Sequence, residues 1–319
     1  MLRWSEIYYL CPPGEKSYGH LQQNIEVRYL FIRENRCSFP VVKMCQAFSI
    51  HPSGYYHWLK SPGSPRKREN QRIKKRISEL YREHRGMAGS PMITADLRAE
   101  LGFSKVSKNR VARHMRNMSL RCKATRKFVV TTDSNHNEPV APNLLNREFT
   151  VKTPNKVWVS DITYLKVGKK WHYLTVFMDL YSRIIVGWNL SHSLDRHSTI
   201  HAFTKALMRR RPEKGLLVHS DQGVQYASSD FRRLLRNNGF IQSMSRRGNC
   251  WDNAVAESFF HTLKTQLIYH VKFRNKQEAE RSLFQYIEVY YNRRRRHSSV
   301  GYLSPANFEE NTFKLKLAA

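Results

Sequence analysis

Acidic side chains are scarce in this chain. Its 319 residues carry 25 Asp and Glu against 55 Lys and Arg, a formal net charge of +30. Self-repulsion on that scale works against compaction, so a polyanionic partner explains it better than mere solubility does. Nucleic acid fits best, because each phosphate neutralised by Lys or Arg releases a condensed counterion. Cysteine is sparse as well. The five (Cys11, Cys37, Cys45, Cys122 and Cys250) are odd in number and form no C-x-x-C pair. That argues against a disulfide framework and against a structural zinc site. The 14 histidines show no zinc-finger spacing. Long apolar runs are missing too. The longest, Tyr173 to Trp188, is broken by Asp179, Ser182 and Arg183, which excludes a bilayer-crossing helix there. The first residues place Glu6 early and show no apolar stretch ending in a small-residue cleavage site. A cytoplasmic, nucleoid-associated protein is the expectation.

The length suits two or three domains, and 40% hydrophobic residues suffice for a packed core. Composition divides the chain into five stretches. Residues 1–62 form a helical region with a helix-turn-helix-like element. Val41 to Phe48 reads as one helix and Ser53 to Leu59 as another, started by Pro52. Tyr55, Tyr56 and Trp58 read as core rather than base-stacking groups. Residues 63–130 follow a Pro/Ser/Gly break and are very basic, with 20 Lys and Arg against 5 acids from Lys60 to Lys127. Ile73, Ile77 and Leu80 recur at helical spacing. Helices are expected over Met92 to Leu101 and Val106 to Met118, the second capped by Ser107. On it, Val111 and Met115 face inward and Lys108, Arg110, Arg113 and Arg116 outward. This is the layout of a helix-turn-helix with a groove-reading last helix, although a basic bundle without groove contact would look the same.

Residues 131–154 are polar, contain Pro139, Pro142 and Pro154, and read as an extended linker. From 155 to 272 the pattern becomes α/β. Strands are expected at Val157 to Tyr164, Tyr173 to Met178, Ile184 to Leu190 and Gly215 to His219. Helices are expected over Ser198 to Met208, Ser229 to Asn237 and Asn253 to Leu267. Residues 273–319 form a basic C-terminal helix and tail. The helix spans Lys276 to Tyr291 and leads into Arg293, Arg294, Arg295 and Arg296, a run that either grips phosphate or is only a solvated face.

Three acids stand out by position. Asp161 lies within the first α/β strand, Asp221 at the C-terminal end of a strand where clefts open in α/β sheets, and Glu257 in a helix among small and apolar neighbours. One such acid alone would read as a surface or arginine-paired carboxylate. Three in so basic a chain call for something positive between them. Magnesium and manganese take oxygen ligands from carboxylates and substrate phosphates, and two such ions clamp the oxygens of an in-line phosphoryl displacement.

The strings around these acids carry a resemblance. Trp158-Val159-Ser160-Asp161-Ile162-Thr163-Tyr164, His219-Ser220-Asp221-Gln222-Gly223-Val224-Gln225-Tyr226 and Gly248-Asn249-Cys250-Trp251-Asp252-Asn253-Ala254-Val255-Ala256-Glu257-Ser258-Phe259-Phe260 resemble the three carboxylate motifs of DDE transposases and retroviral-type integrases. The 35 residues between Asp221 and Glu257 match as well. Lys264, two helical turns after Glu257 and on its face, matches the family's basic residue. The linker string Ala141 to Arg147 and the tail Tyr291 to Ser299 resemble the second-frame product (OrfB) of insertion sequences of the IS-three family.

The resemblance implies an RNase H-like core, a mixed sheet flanked by helices, preceded by all-α helix-turn-helix elements. It implies metal-activated water cleaving at an element end, then attack by the freed 3′-hydroxyl on another phosphodiester. It implies Asp161, Asp221 and Glu257 as catalytic metal ligands for two Mg²⁺ or Mn²⁺ ions, with Lys264 on DNA phosphate. Its implied partners are the element's terminal repeats, target DNA, further copies of the chain and the first-frame (OrfA) product, whose zipper has no counterpart in the opening residues here. Asp179 reads as a turn residue, Asp252 as a cap of the Glu257 helix, His219 as structural, and His261 as a DNA contact or a solvent-facing residue. Two rivals stay open. One is a nuclease of the same fold that cuts without joining; the other is a non-catalytic DNA-binding regulator derived from a transposase.

Overall fold

The computed structural model describes residues 25–60, 65–122, 138–247 and 249–318. The readings of the N-terminal 24 residues, of the 61–64 break and of 123–137 lie outside these. Contacts divide the chain into two compact units, 1–78 and 79–319. In the first, α1 (Ile25–Asn35), α2 (Val41–Ala47) and α3 (Pro52–Lys60) gather Tyr29, Ile32, Met44, Cys45, Phe48 and Tyr55 into a small core. Tyr55 is central to it and Trp58 packs on its edge, whereas Tyr56 is exposed. Helix α4 (Pro65–Glu83) follows, burying Ile73, Ile77 and Leu80.

In the second unit α5 (Ser90–Ala99) packs on α6 (Lys108–Asn117). Ser107 caps α6 by accepting the Arg110 N–H, which satisfies one of the donors a helix start leaves free. Val111, His114 and Met115 are buried, while Lys108, Arg113 and Arg116 are exposed and Arg110 half-buried.

Five strands then form one sheet: β1 (Val157–Val167), β2 (Lys170–Asp179), β3 (Ile185–Ser191), β4 (Leu217–Ser220) and β5 (Ile241–Met244), in the order β3-β2-β1-β4-β5. β1, β2 and β3 pair antiparallel; β1–β4 and β4–β5 pair parallel. Both faces are covered, so the central strands carry apolar residues on both sides. One face packs Val159, Leu165 and Val176 against Phe259, Phe260 and Leu263 of α10 (Ala254–Gln266) and Leu283 of α11 (Lys276–Phe284). The other packs Trp158, Phe177 and Val218 against Ala202, Phe203 and Ala206 of α7 (Arg196–Arg210) and Phe231 of α9 (Ser229–Asn237). A short α8 (Val224–Ala227) lies between β4 and α9, and α12 (Pro305–Ala318) closes the chain. Among the described residues no helix is long and apolar enough to cross a membrane.

One sequence reading needs correction, and four elements had no expectation. β5, α1, α8 and α12 were not anticipated. The helix expected over 276–291 is α-helical only to Phe284 and widens into a π-turn over Gln285–Tyr291. That turn lets Tyr286, Ile287 and Tyr291 all reach the core. Residues 138–154 hold no helix or strand, yet they are tied down. Leu145 is buried, and the Leu144 and Leu145 N–H groups donate to Ser243 Oγ.

Candidate active site

Two adjacent parallel strands bring the first two carboxylates together. Val159 of β1 pairs with His219 of β4, so Asp161, within β1, and Asp221, just past the end of β4, each lie two residues beyond the last paired position and come side by side. Asp161 Oδ1 accepts its neighbour Ile162 N–H at 2.7 Å, and Asp221 Oδ1 accepts Gly223 N–H at 3.0 Å. A side chain at Gly223 would press on the Asp221 carboxylate, with a Cβ 3.0 Å from Oδ1.

The third comes from α10. Asn253, just before the helix, donates from Nδ2 to Ser160 O at 3.0 Å, which fastens the helix start to β1 beside Asp161. Glu257 lies one turn further along the same face, and Lys264 two turns beyond that. Lys264 is half-buried with Nζ 5.1 Å above the Tyr164 ring.

Electrostatics report the convergence. Burial pushes the Asp161 carboxyl well above the usual carboxylate range; the charge of Asp221 pushes it further, as does Glu257, against the Ile162 N–H and Lys264. Glu257 is exposed along part of its length, yet the desolvation of its carboxyl raises its pKa, with Asp221 adding. Burial lowers Lys264, and Asp161 opposes that. The three acids therefore repel one another at neutral pH, a cost that a bound cation would relieve. Among the described residues no three His, Cys, Asp or Glu side chains are drawn closely enough to hold a metal ion by themselves.

His219 is structural. Ser243 Oγ already accepts two N–H groups, so its own hydrogen is turned to His219 Nδ1 at 2.9 Å. Nε2–H then donates to Ser245 Oγ at 3.2 Å, and Ser245 Oγ to Ser220 O. Burial holds the ring neutral, with its pKa lowered to about 4. The folded pKa lies below the unfolded value, so the unfolded chain takes up the proton first as pH falls. Stability contributed by neutral His219 is present above pH 6.5 and lost between 6.5 and about 4. Melting scans of the His219→Gln variant in EDTA are expected to fall less steeply across that window than those of the wild type. Parallel curves would show that His219 does not carry this loss.

Asp252 does not cap α10; Asn253 occupies that position, with no side-chain cap bond. Asp252 is fully buried because its carboxylate is used elsewhere. It accepts Arg147 Nε at 2.8 Å, Asn143 Nδ2 at 2.9 Å and three Arg246 N–H groups at 2.8–3.0 Å. It thus clamps the linker to the loop leading into the Glu257 helix, and the hydrogen bonds from Arg246 hold it far below the usual carboxylate range. Sequence reasoning missed Arg147 and Asn253 in this role, since both act through partners about a hundred residues away. Asp179 ends β2, where it accepts Asn155 and Tyr181 N–H groups and pairs with Arg210.

The Arg293 to Arg296 run divides. Arg293 and Arg294 face solvent. Arg296 pairs with Asp96 of α5 and donates to Tyr302 O at 2.9 Å, while Arg295 donates to Gln266 Oε1 and His297. As a run of four phosphate-gripping residues it is therefore corrected: two guanidinium groups are spent on fastening the C-terminal segment. Neither the α6 cations nor Arg293 and Arg294 adjoin the three carboxylates in sequence or share their elements.

Family models match the stretches that carry these residues. Models for the integrase core domain match residues 151–250 and 238–305, and an HTH-like domain matches 68–128. The chain is 43% identical over 267 residues to the insertion element IS600 uncharacterized 31 kDa protein of Shigella sonnei, covering 84% of this chain and 97% of that protein. It is 37% identical over 285 residues to transposase InsF for insertion sequence IS3A of Escherichia coli, covering 89% and 98%. Among solved structures, the HTLV-2 integrase catalytic core domain in complex with magnesium aligns at 17% identity with a TM-score of 0.40, over 49% of this chain and 97% of that one. With the sheet order and helical layers above, the second unit holds an RNase H-like integrase core, and the chain belongs to the IS3-family InsF transposases.

Proposed function

We propose that this transposase is a DDE-type polynucleotidyl transferase that cleaves DNA at the ends of its insertion sequence and joins the freed 3′-hydroxyl to another phosphodiester. The supporting observation is the grouping of Asp161, Asp221 and Glu257 within one another's electric field, where the pairing of β1 with β4 stops, with Lys264 on the Glu257 helix. The donor set fits hard divalent cations: the carboxylate oxygens raise one another's pKa, and buried His219 is committed on both ring nitrogens. Asp161 and Asp221 would hold Mg²⁺ or Mn²⁺, and Glu257 would complete the site once substrate phosphates supply further oxygens. Two such ions would supply charge neutralisation and an ionised nucleophile for in-line displacement.

The chain's own residues do the rest. Lys264, kept partly desolvated over Tyr164, holds a phosphate oxygen beside the scissile bond. Asn253 and Asp252 fix the start of the Glu257 helix so that its carboxylate meets the other two. DNA is engaged by α6 through Lys108, Arg110, Arg113 and Arg116, and by Arg293 and Arg294 on the C-terminal segment. The working assembly is an oligomer on DNA, joined by the first-frame product. The domains proposed are 1–62, 63–130, 131–154, 155–272 and 273–319.

The test supplies wild type and Glu257→Gln with labelled duplex bearing the element's ends and magnesium, scoring 3′ cleavage and joining. Wild type is expected to do both, the variant neither while still binding, and EDTA to silence the wild type. Turnover in EDTA would sink the metal assignment. Binding without chemistry by the wild type, alone and fused to the first-frame product, would favour a regulator instead.

A further inference from the structure

The β1–β2 hairpin projects beyond the sheet and carries a surface that the proposed chemistry does not use. Lys166, Lys169, Lys170 and Trp171 are exposed around the turn at Gly168, with Trp171 at 53%; Lys170 pairs with Val167 and so stands on the face opposite Trp171. None of the three lysines has an acidic partner among the described residues. Lys166 and Trp171 are cross-strand partners, as are Tyr164 and Tyr173, so all four share one face of the hairpin. The Trp171 ring stands edge-on to Tyr164 with centroids 5.0 Å apart, and Lys264 covers that same Tyr164 ring. A continuous aromatic and cationic surface therefore runs from the residue beside Asp161 to the hairpin tip.

The tip is held in place. Gly168 N–H donates to Phe273 O at 2.8 Å, and Val167 bridges to Phe273. Gly168 adopts φ +57, and a Cβ there would meet Arg274 O at 3.2 Å, so the close approach favours glycine. A fixed, exposed tryptophan flanked by unpaired lysines is costly for a free surface and suited to a nucleic-acid backbone, where cations meet phosphates and aromatics meet bases or sugars.

We propose that this hairpin tip is a second DNA-holding surface: Lys166 on the face of Trp171, Lys169 at the turn and Lys170 on the other face straddle the backbone and grip its phosphates, and Trp171, braced by Tyr164, lies against the same stretch of DNA. This rests on the three carboxylates being where DNA reacts. The register then sets a distance. Six residues of extended chain separate Asp161 from Val167, about 20 Å. At roughly 3.4 Å per nucleotide along one strand, the tip meets DNA about six nucleotides from the reacting phosphate.

The test uses the full chain, a labelled duplex carrying an element end, and versions trimmed on either side of the scissile phosphate. Variants are Lys166→Ala/Lys169→Ala/Lys170→Ala, its Gln counterpart, Trp171→Ala and Trp171→Phe, all checked by melting temperature. On the long duplex, loss of three phosphate contacts should reduce the slope of log K against log salt by roughly 2–3. Trp171→Ala should weaken binding about fivefold or more, with Trp171→Phe close to wild type. Trimming one side below about six base pairs should bring the wild type down to the triple variant and leave the variant unmoved. An unchanged slope in the folded triple variant, or a deficit equal on long and trimmed duplexes, would overturn the proposal. Cleavage by the wild type, scored in the same reactions, reports on the proposed chemistry separately. Binding that tracks the hairpin without any cleavage, by the chain alone and fused to the first-frame product, would leave the surface standing and remove the catalytic reading.

Discussion

Asp161→Asn is expected to abolish strand cleavage and joining while making the metal-free protein more stable. Asparagine keeps the shape and the oxygen that accepts the Ile162 N–H, so the strand is undisturbed. What disappears is one negative charge in a desolvated position between two others. For the proposed chemistry that charge is needed. A lost cation ligand at an in-line displacement removes several kcal/mol of transition-state stabilisation, and about 4 kcal/mol is roughly a thousandfold in rate. For folding the same charge is a cost, with a definite sign. The folded pKa lies above the unfolded one, so the folded chain keeps its proton at pH values where the unfolded chain has released it. Stability from this site is present at low pH and is lost as pH rises from the ordinary carboxylate range through the raised folded value.

Asp161→Asn removes that loss. In EDTA at neutral pH its melting temperature should exceed the wild type's by a few degrees, and the gap should close on acidification. Adding magnesium should raise the wild type and leave the variant nearly unmoved, because only the wild type has the charge that the ion relieves. Activity assays and melting scans across pH check both halves. A variant that melts lower than the wild type in EDTA at neutral pH would contradict the mutual repulsion of the three acids.

Much of this arrangement was legible in the sequence because it is local. The strand before Asp221, the small and apolar residues around Glu257 and the Ser107 cap of α6 are all written within a few neighbouring positions. What was not legible acts at long range. An acid just before a helix reads locally as a cap, yet Asp252 is claimed by Arg147, 105 positions earlier, and by Arg246. A run of four arginines reads as a phosphate grip or a solvated face, yet Arg296 is taken up by Asp96, 200 positions away. β5 has four residues, one of them exposed, so it lacks enough alternation to be seen. The exposed aromatic and lysines of the β1–β2 hairpin carry no motif of their own; only the register places Tyr164 beside Trp171 and under Lys264.

Gly187 is the furthest such case, and replacing it is expected to damage the core more than any comparable change on the surface. A single glycine in a strand reads as a weak point, with maximal backbone entropy to lose and nothing to pack. Here its bareness is what lets α7 lie on β3. A Cβ at position 187 would stand 2.4 Å from Ala202 O, 2.7 Å from Ala206 Cβ and 2.8 Å from Ala206 N. Two of these are backbone atoms of a helix and cannot swing aside as a long side chain can, so the helix itself must move. Ala202, Phe203 and Ala206 share the buried layer with Trp158 and Phe177, so displacing α7 opens that layer along β1 and β2. Overpacking of this kind costs about 1–3 kcal/mol for one methyl group and more for a branched side chain. Gly187→Ala should therefore lower the melting temperature by roughly 5–10 °C, and Gly187→Val should lower it further. Because β1 carries Asp161 and lies in the same sheet, DNA cleavage should fall in proportion to the folded fraction, with the metal dependence of the remaining activity unchanged. Gly187→Ala melting with the wild type would show that α7 yields at no cost, and that the close approach of helix to strand does not set the stability of this sheet.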